Sequence, residues 1–276
     1  MNAQEQKLNF LIEKFKKEKN EYKNIENPVS IEGKRILLRS LMNIRSPRET
    51  SDDILKIQDE YLKERAEERG IAYLKDIKTI KESLDNKNFY SDKISIWQGD
   101  ITRLSCDGIV NAANSQMLGC FVPMHTCIDN CIHSFAGVQL RKKCFDIMNE
   151  FKKKYGKNYE QPTAVPIITD GYNLPAKKVI HIVGPIVQKS LNNTLEQDLK
   201  NCYKNILDTC LKNDLKSIAF CCISTGVFNF PNKRAAEIAV ETITNWLKKN
   251  EDKIDRIIFN VFKDEDKFYY EQLLQQ

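Results

Sequence analysis

Hydrophobic residues in positions 1–88 recur at the three- and four-residue spacing of amphipathic helices. Three groups share a helical face in this way: Leu8, Leu11 and Phe15; Ile36, Leu37, Ser40, Leu41 and Ile44; and Ile54, Ile57 and Tyr61. Ser51 or Asp52 stands where the third helix needs an N-terminal cap. No strand is expected in this part, so the pattern predicts a small helical layer.

From Ile94 onward, short runs rich in β-branched residues alternate with helical periods, which is typical of a layered α/β fold. The predicted strands are ISIWQG, GIVNAA, TAVPIIT, KVIHIVG, SIAFCCI and RIIFNVF. Helices are predicted at about 130–151, 195–213 and 232–249 and after Asp264. Because no Gly/Ser/Pro-rich linker stands near residue 90, we expect the helical extension of residues 1–88 to pack on a domain of residues 89–276.

Composition indicates a globular protein but selects no partner. The 43 basic and 38 acidic side chains nearly cancel, leaving a net charge of +5. This balance is compatible with a phosphate-bearing ligand, whereas the absence of an arginine-rich run gives no reason to expect nucleic acid as a partner. The opening segment MNAQEQKLNF has no apolar run, and no stretch approaches ~18 apolar residues, so we expect a cytoplasmic protein without membrane association.

Nine cysteines, an odd number without scaffold-like spacing, are expected to be reduced thiols or metal ligands. Cys120, His125 and Cys127 form a Cys-x4-His-x-Cys arrangement, short enough to converge on one zinc ion if the chain turns back at Pro123. With three protein ligands, such an ion keeps one position for water or substrate. The alternative is a buried loop with inert thiols, and no fourth ligand is evident nearby.

Two further histidines and a cysteine are assigned structural roles. Cys131 and His133 follow the point where a helix is expected to start, so they would pack there or contact a ligand side chain. His181 alternates with valine and isoleucine in a predicted strand, and a hydrogen-bonded structural histidine is expected.

Polar loops follow several predicted strands, and in α/β sheets such loops form the ligand crevice. Asp100 could accept a hydrogen bond from the exocyclic amine of a base, although a turn or helix cap is the simpler interpretation. Asn111 and Asn114 could bind sugar hydroxyls, but asparagine is also common in turns. The segment STGVFNFPN, residues 224–232, could turn backbone N–H groups toward a phosphate, although it lacks the spacing of the common nucleotide fingerprints.

Taken in order, the segments QGDIT, DGIVNAANSQMLG, IHSFAG, VIHIVGP and STGVFNFP resemble the macrodomain family of ADP-ribose-binding proteins. The stretch MLGCFVPMHTCIDNCIHSFAGVQLRKKC is similar to the zinc-dependent branch of protein-ADP-ribose hydrolases, and residues 38–62 resemble the helical N-terminal extension of that branch. The resemblance implies a three-layer α/β/α fold with a mixed central sheet. It also implies Zn²⁺ as cofactor, ADP-ribose as ligand and a mono-ADP-ribosylated protein as substrate.

The resemblance assigns roles to individual residues. It places Asp100 at the adenine amine with Ile101 beside it, Asn111 and Asn114 at the distal ribose, and a diphosphate loop at Ser224, Thr225, Gly226, Val227 and Phe228. Cys120, His125 and Cys127 correspond to zinc ligands and, with Asn114, to the catalytic residues, and Phe262 corresponds to an adenine-stacking residue. The chain departs from the family at Asn229, and Asp129 is expected to cap a helix or to contact a ligand side chain.

Three functions follow as hypotheses. The first is zinc-dependent hydrolysis of an ADP-ribose bond to a protein side chain, with an aspartate or glutamate ester as the expected linkage. The second is a reader that binds ADP-ribose without cleaving it and holds a structural zinc, although a structural zinc usually has four protein ligands. The third is a cysteine hydrolase or thiol-redox protein, which would need a reactive thiolate at Cys120 or Cys127.

Overall fold

The computed structural model describes residues 2–275. In chain order the helices are α1 (Ala3–Lys16), α2 (Ile31–Ile44), α3 (Asp52–Arg69), α4 (Ile80–Ser83), α5 (Ile128–Ala136), α6 (Val138–Tyr155), α7 (Asn193–Lys212), α8 (Asn232–Asn250) and α9 (Asp264–Leu274). The strands are β1 (Ala72–Tyr73), β2 (Ile94–Gln98), β3 (Leu104–Ser105), β4 (Gly108–Ala113), β5 (Ile167–Asp170), β6 (Lys178–Val183), β7 (Ser217–Phe220) and β8 (Arg256–Val261). None of these helices has the length and apolar character needed to cross a membrane.

The described residues form two units. Residues 2–70, 116–159 and 171–174 make up the first unit, and residues 71–115, 160–170 and 175–275 make up the second. The division of the chain into residues 1–88 and 89–276 stays a prediction.

The first unit is helical, and its core forms where α1, α2 and α3 meet. Apolar side chains at helical spacing line this core: Leu8, Leu11, Ile12, Phe15, Leu38, Leu41, Met42, Tyr61, Leu62 and Val138. Burying a large apolar side chain stabilises a fold by about 1.5–3 kcal/mol, so this cluster holds the helices together. The predicted inward faces of α1 and α3 are confirmed, and Ser51 is the N-cap of α3.

Two expectations for this part of the chain are corrected by the structure. Leu41 lies on the inward face of α2 as predicted, but Leu38 and Met42 complete that face and Ile36 is 44% exposed. The apolar residues of α2 are spaced so that either of two faces could point into the core. Packing against the neighbouring helices selects one of them. A strand also lies within residues 1–88, because β1 pairs in parallel with β3. At two residues, β1 is too short to produce an alternating pattern.

The second unit contains a six-stranded sheet with the order β2-β8-β7-β4-β6-β5. All neighbours are parallel except β5, which runs antiparallel to β6, so the predicted mixed sheet is confirmed. Most residues of its central strands are buried, as parallel strands covered on both faces require. All six predicted strands are present. Two of them, β5 and β7, are shorter than predicted by three residues, and β2, β6 and β8 are each shorter by one residue. In the same unit α8 packs against α7 and α9.

The helix predicted at about 130–151 is two helices separated by Gly137. Gly137 has φ +101° and ψ 172°, a backbone conformation that residues with a Cβ rarely adopt. A Cβ at this position would lie 2.5 Å from Gln139 Oε1 and 2.7 Å from Gln58 Nε2. The break therefore lets the chain change direction where α3 packs closely.

Gly137→Ala should lower the free energy of unfolding more than Gly156→Ala does, in urea unfolding of the full chain. Both glycines have similar backbone angles, with φ +111° and ψ 154° at Gly156, but a Cβ on Gly156 would have no neighbour within 4 Å. The Gly156 variant therefore measures the backbone penalty, of order 1–3 kcal/mol, and the Gly137 variant adds steric overlap. Equal losses would show that the close packing at Gly137 has no energetic weight.

Candidate functional site

The polar loops identified in the sequence lie at one edge of the sheet in the second unit. Strands β2, β8, β7 and β4 are neighbours and parallel, so their carboxyl ends meet at the same edge. In this spatial order they are followed by Asp100, Phe262, residues 224–228 and Asn114. At ~4.8 Å per strand, the first and last of these strands are ~14 Å apart. The edge therefore presents an elongated row of candidate ligand-binding groups.

One end of the row carries Asp100, Ile101 and Phe262. The Asp100 carboxylate accepts hydrogen bonds from Thr102 N at 3.0 Å and Thr102 Oγ1 at 2.7 Å, which caps a short 3-10 turn. Ile101 is buried in that turn, and its side chain packs in the core. Phe262 follows β8 directly and is 76% exposed, which leaves its ring open to a planar ligand.

Asn111 and Asn114 have different surroundings at the other end of the row. Asn111 is fully buried inside β4, and its Nδ2 donates to His181 Nδ1 at 3.0 Å on the neighbouring strand β6. Asn114 is half-buried in the loop that follows β4. Of the two amides, Asn114 has the more accessible position.

His181 is the hydrogen-bonded strand histidine that the sequence predicts. Because Asn111 Nδ2 donates to Nδ1, the proton of the neutral ring is on Nε2, which donates to Thr169 Oγ1 at 2.9 Å. Burial lowers the pKa of His181 to about 4, so the ring stays neutral at physiological pH.

The loop after β7 holds several backbone N–H groups without an acceptor. Within residues 2–275, the N–H groups of Gly226, Val227 and Phe228 donate to no protein atom, whereas Phe230 N donates to Ser224 O at 3.0 Å and closes the loop. Ser224 and Asn229 have positive φ values of 66° and 55°, which turn the chain sharply on both sides. Successive N–H groups in such a turn form an anion-binding concavity.

Gly184 explains how this loop can lie against β6. A Cβ at Gly184 would lie 2.1 Å from Ser224 Oγ and 2.8 Å from Ile223 Cγ2. Val187 N also donates to Phe228 O at 2.9 Å and ties the far end of the loop to the same segment. The glycine that follows β6 is therefore needed for the approach of residues 223–228.

In the first unit, Cys120, His125 and Cys127 converge. Their two sulfur atoms and one ring nitrogen all lie within 4.8 Å of one another, and Cys120 Sγ is 3.5 Å from His125 Nδ1. Zn–S bonds of ~2.3 Å and Zn–N bonds of ~2.0 Å in a tetrahedral site give an S···N separation of ~3.5 Å. The donor set and its spacing therefore fit a zinc ion, and all three side chains are half-buried.

Cys127 is also the N-cap of α5. Its Sγ accepts a hydrogen bond from Asn130 N at 3.4 Å, at the positive end of the helix dipole, which favours a thiolate. In the metal-free protein, burial raises the pKa of the Cys127 thiol to about 12, and the charge of Cys120 acts in the same direction. A reactive free thiolate, which a cysteine hydrolase would need, is therefore not favoured at Cys127.

Asn130, in the first turn of α5, holds the loop 119–127 by its side chain. Its Nδ2 donates to Cys120 O at 3.3 Å and to Val122 O at 2.9 Å, while its backbone reaches Cys127 Sγ. Asn130 is fully buried, so these bonds are shielded from competing water.

Arg141, on α6, is a buried guanidinium surrounded by carbonyl oxygens. It donates to Leu118 O at 2.8 Å and Cys120 O at 3.3 Å in the loop region. It also donates to Asn43 O at 2.6 Å and Arg45 O at 2.7 Å at the carboxyl end of α2. Burial lowers the pKa of Arg141 to about 10, which leaves the side chain charged at neutral pH. One cation thus joins the end of α2 to the start of the loop.

The α2 helix contacts the loop at two more points. Met124 N donates to Asn43 Oδ1 at 3.0 Å, and Arg39 Nη2 donates to His125 O at 3.0 Å. Met124 has a φ of +57°, and a non-glycine residue in this region costs of order 1 kcal/mol or more unless its surroundings compensate.

Asp129 has a different role from the expected helix cap, because Cys127 occupies the N-cap position of α5. Its buried carboxylate lies 3.5 Å from His133 Nε2, one turn further along the same helix.

Sequence reasoning identified the three converging side chains but missed the residues that hold their loop. A signal for Arg141 exists, because it interrupts the buried stripe Val138, Cys144 and Met148 at helical spacing. Asn43 lies beside the buried Met42 on α2 and carries a similar signal. Their partners are backbone atoms far along the chain, which no local pattern reveals.

Stability should fall between pH 6.5 and pH 4 because His181 accepts a proton in the unfolded chain but not in the folded one. At pH 5 this linkage amounts to about 2 kcal/mol, and it vanishes above pH 7. Urea unfolding of His181→Gln, compared with the unmodified chain at pH 7.5 and pH 5, should show a smaller loss on acidification by about that amount. The same pH dependence in both proteins would contradict the lowered pKa.

Comparison with known proteins agrees with this geometry. The pattern of the family described as Macro domain matches residues 110–239. A Treponema medium protein named protein-ADP-ribose hydrolase is 46% identical over 272 residues, covering 99% of both chains. A Staphylococcus aureus protein of the same name is 41% identical over 273 residues, covering 99% of this chain and 96% of its own length.

Among solved structures, the Trypanosoma brucei macrodomain in complex with ADP-ribose superimposes with a TM-score of 0.63 at 27% identity. The alignment covers 85% of this chain and 94% of that structure. The three-layer α/β/α fold class is therefore confirmed. This chain belongs to the macrodomain family, among relatives named protein-ADP-ribose hydrolases.

Proposed function

We propose that this chain is a zinc-dependent hydrolase that removes mono-ADP-ribose from modified protein side chains, with aspartate or glutamate esters as the preferred linkage. The observation that carries the proposal is the convergence of Cys120, His125 and Cys127 within 4.8 Å. These residues follow Asn114 closely in the chain. Asn114 lies directly after β4, at the edge of the sheet that carries the candidate ligand-binding groups. Relatives along the full length of the chain bear the name protein-ADP-ribose hydrolase, which supports the activity.

The order of the strands supports an elongated nucleotide sugar as ligand. ADP-ribose consists of adenosine, a diphosphate and a second ribose, in that order. Asp100 and Phe262 follow β2 and β8, residues 224–228 follow β7, and Asn114 follows β4. In the proposal the adenine binds at the first pair, the diphosphate at the central loop and the distal ribose beside Asn114.

The N–H groups of Gly226, Val227 and Phe228 would bind the diphosphate. They have no acceptor within residues 2–275, and α8 begins shortly after them at Asn232. An anion near a long helix N-terminus gains from the helix dipole, so the loop needs no lysine for this task. Phe262 would stack on the adenine while Asp100 accepts a hydrogen bond from its amine, and Asn111 would support the distal ribose from inside β4.

Zinc would be held by Cys120, His125 and Cys127. When bound, it would supply Lewis acidity, which polarises an oxygen or lowers the pKa of a water from ~15.7 to ~7. The chain's own residues do the remaining work. Asn114 would orient the distal ribose by hydrogen bonds, and the binding energy of the adenine and diphosphate would fix the scissile bond in place.

The net reaction is the addition of one water molecule across the ester. The bond between the distal ribose and the side-chain carboxyl breaks, one fragment gains the OH of water and the other gains its remaining hydrogen. At neutral pH the carboxylic acid that is formed releases one proton to the solvent. The products are ADP-ribose and the free carboxylate of the target protein, so no oxidant, reductant or nucleotide cofactor is consumed. An open, three-ligand metal position matches such a hydrolysis better than it matches a purely structural zinc.

Cys127→Ala should bind no zinc and release no ADP-ribose from an automodified, mono-ADP-ribosylated protein, while Cys131→Ser should retain both properties. Cys131 lies one turn along α5 from Cys127 and is outside the converging group. Metal content is measured by inductively coupled plasma mass spectrometry, and release by chromatography before and after chelation. Unchanged release by zinc-free Cys127→Ala would refute zinc-dependent hydrolysis, and binding without any release by the unmodified chain would favour a reader.

Gly226→Val should weaken ADP-ribose binding in titration calorimetry without lowering the urea unfolding midpoint. A Cβ on Gly226 would meet no protein atom within 4 Å, so the fold tolerates it, yet it would occupy space proposed for the diphosphate. Val227→Ala is the matched control, because the Val227 side chain is exposed and only its backbone is assigned to the ligand. If both variants bound ADP-ribose with equal affinity, the diphosphate would not bind at the loop 224–228.

A further inference from the structure

The loop 119–127 receives much of its support from the N-terminal helix α2, and this arrangement suggests a role for that helix. We propose that Arg39 and Asn43 of α2 are positioning residues that set the zinc affinity of the site by holding His125 in its ligating position. The inference rests on the proposed function, because it concerns the metal that Cys120, His125 and Cys127 would bind.

Contacts from α2 fix the backbone on both sides of the imidazole. Asn43 Oδ1 accepts from Met124 N at 3.0 Å, immediately before His125. Arg39 Nη2 donates to the backbone carbonyl oxygen of His125 itself at 3.0 Å. The two contacts come from residues four apart on one helix, so they share a rigid frame.

The conformation of Met124 explains why the loop needs these two contacts from α2. With a φ of +57°, Met124 occupies the left-handed region that side chains with a Cβ disfavour. A free loop would relax toward a negative φ and carry the His125 ring away from the two sulfurs. Asn43 opposes that relaxation because it is buried and is itself fixed by its Nδ2 bond to Ser134 Oγ at 2.8 Å.

Arg39 also supports the two sulfur ligands, through Asn130. Its Nη2 also donates to Asn130 Oδ1 at 2.9 Å. Asn130 Nδ2 in turn donates to the carbonyl oxygen of Cys120, and the backbone N–H of Asn130 donates to Cys127 Sγ. A single guanidinium therefore contacts His125 directly and orients Asn130, the buried residue that contacts Cys120 and Cys127.

The same helix supplies a matched control. Arg35 lies one turn before Arg39 on α2, and its guanidinium donates to Gln4 Oε1 at 2.9 Å and Glu68 Oε2 at 3.2 Å. Within the described residues it has no hydrogen bond to the loop 119–127. Removing the Arg35 donors thus perturbs the helical core in a similar way but leaves the loop contacts intact.

The experiment measures zinc dissociation constants of the full chain by competition with a chromophoric chelator. Contacts to metal ligands typically contribute 10- to 100-fold in metal affinity, so Arg39→Met and Asn43→Ala should raise the dissociation constant by ~10- to 100-fold. Arg35→Met should bind zinc like the unmodified chain. Asn43→Asp keeps an acceptor oxygen for Met124 N and should recover much of the affinity that Asn43→Ala loses.

A second readout follows the ligand geometry directly. The Co²⁺-substituted chain should show sulfur-to-cobalt charge-transfer and tetrahedral d–d bands, and these bands should shift or weaken in Arg39→Met but not in Arg35→Met. A structural effect alone would lower the urea unfolding midpoint of both arginine variants alike. That midpoint is measured for every variant in the metal-free state.

The outcomes separate this inference from the proposed function. If the unmodified chain binds no zinc, the proposed metal site is wrong and the inference fails with it. If it binds one zinc, but Arg39→Met and Asn43→Ala bind as tightly as Arg35→Met, the metal site stands and the positioning role is overturned. Equal losses of affinity in all three variants would also overturn it, because they would reflect general destabilisation.

Discussion

Buried polar side chains must find hydrogen-bond partners, and in the first unit Arg141 and Asn130 find theirs in carbonyl groups in and next to the loop 119–127. Arg141 satisfies carbonyls at the start of the loop and at the end of α2 with one guanidinium. Asn130 makes a second hydrogen bond to the Cys120 carbonyl and satisfies one more carbonyl, that of Val122. With its backbone held in this way, a loop with a left-handed Met124 can keep two sulfurs and one imidazole together. The convergence of candidate ligands is thus a property of the whole first unit.

The second unit uses a different principle, which is strand order. Parallel neighbours place the loops after β2, β8, β7 and β4 at one edge of the sheet, although these loops are far apart in the sequence. Each loop offers one kind of chemistry: a carboxylate, an exposed aromatic ring, backbone N–H groups and an amide. Such a row suits a ligand with several unlike parts, because every part gains its own partner and the binding energy is distributed along the molecule.

Much of this could be predicted from the sequence where a local pattern carries the information. The six main strands, the long helices α7 and α8 and the spacing of Cys120, His125 and Cys127 all have local signatures. The break at Gly137 could not be predicted, because glycine inside a helical pattern is often tolerated, and both its positive φ and its close packing against Gln58 depend on the tertiary structure. The sequence predicts the inward face of α2 only in part, because the apolar residues of this helix surround more than half of it.

The supporting residues of the site were missed for a related reason. Arg39 and Asn43 bond to backbone atoms more than eighty positions away, so their role depends on tertiary packing and leaves no motif. Asn111 illustrates the converse, because the resemblance places it at the ligand, while the structure shows its amide nitrogen bonded to His181 inside the sheet. Its assignment to the distal ribose stays a prediction.

The central proposal is that Cys120, His125 and Cys127 together bind one zinc ion. The most direct measurement is an anomalous difference map at the zinc edge from crystals grown with zinc and ADP-ribose. The account predicts one strong peak ~2.3 Å from both sulfur atoms and ~2.0 Å from the imidazole nitrogen. A peak at other residues, or no peak at all, would contradict it.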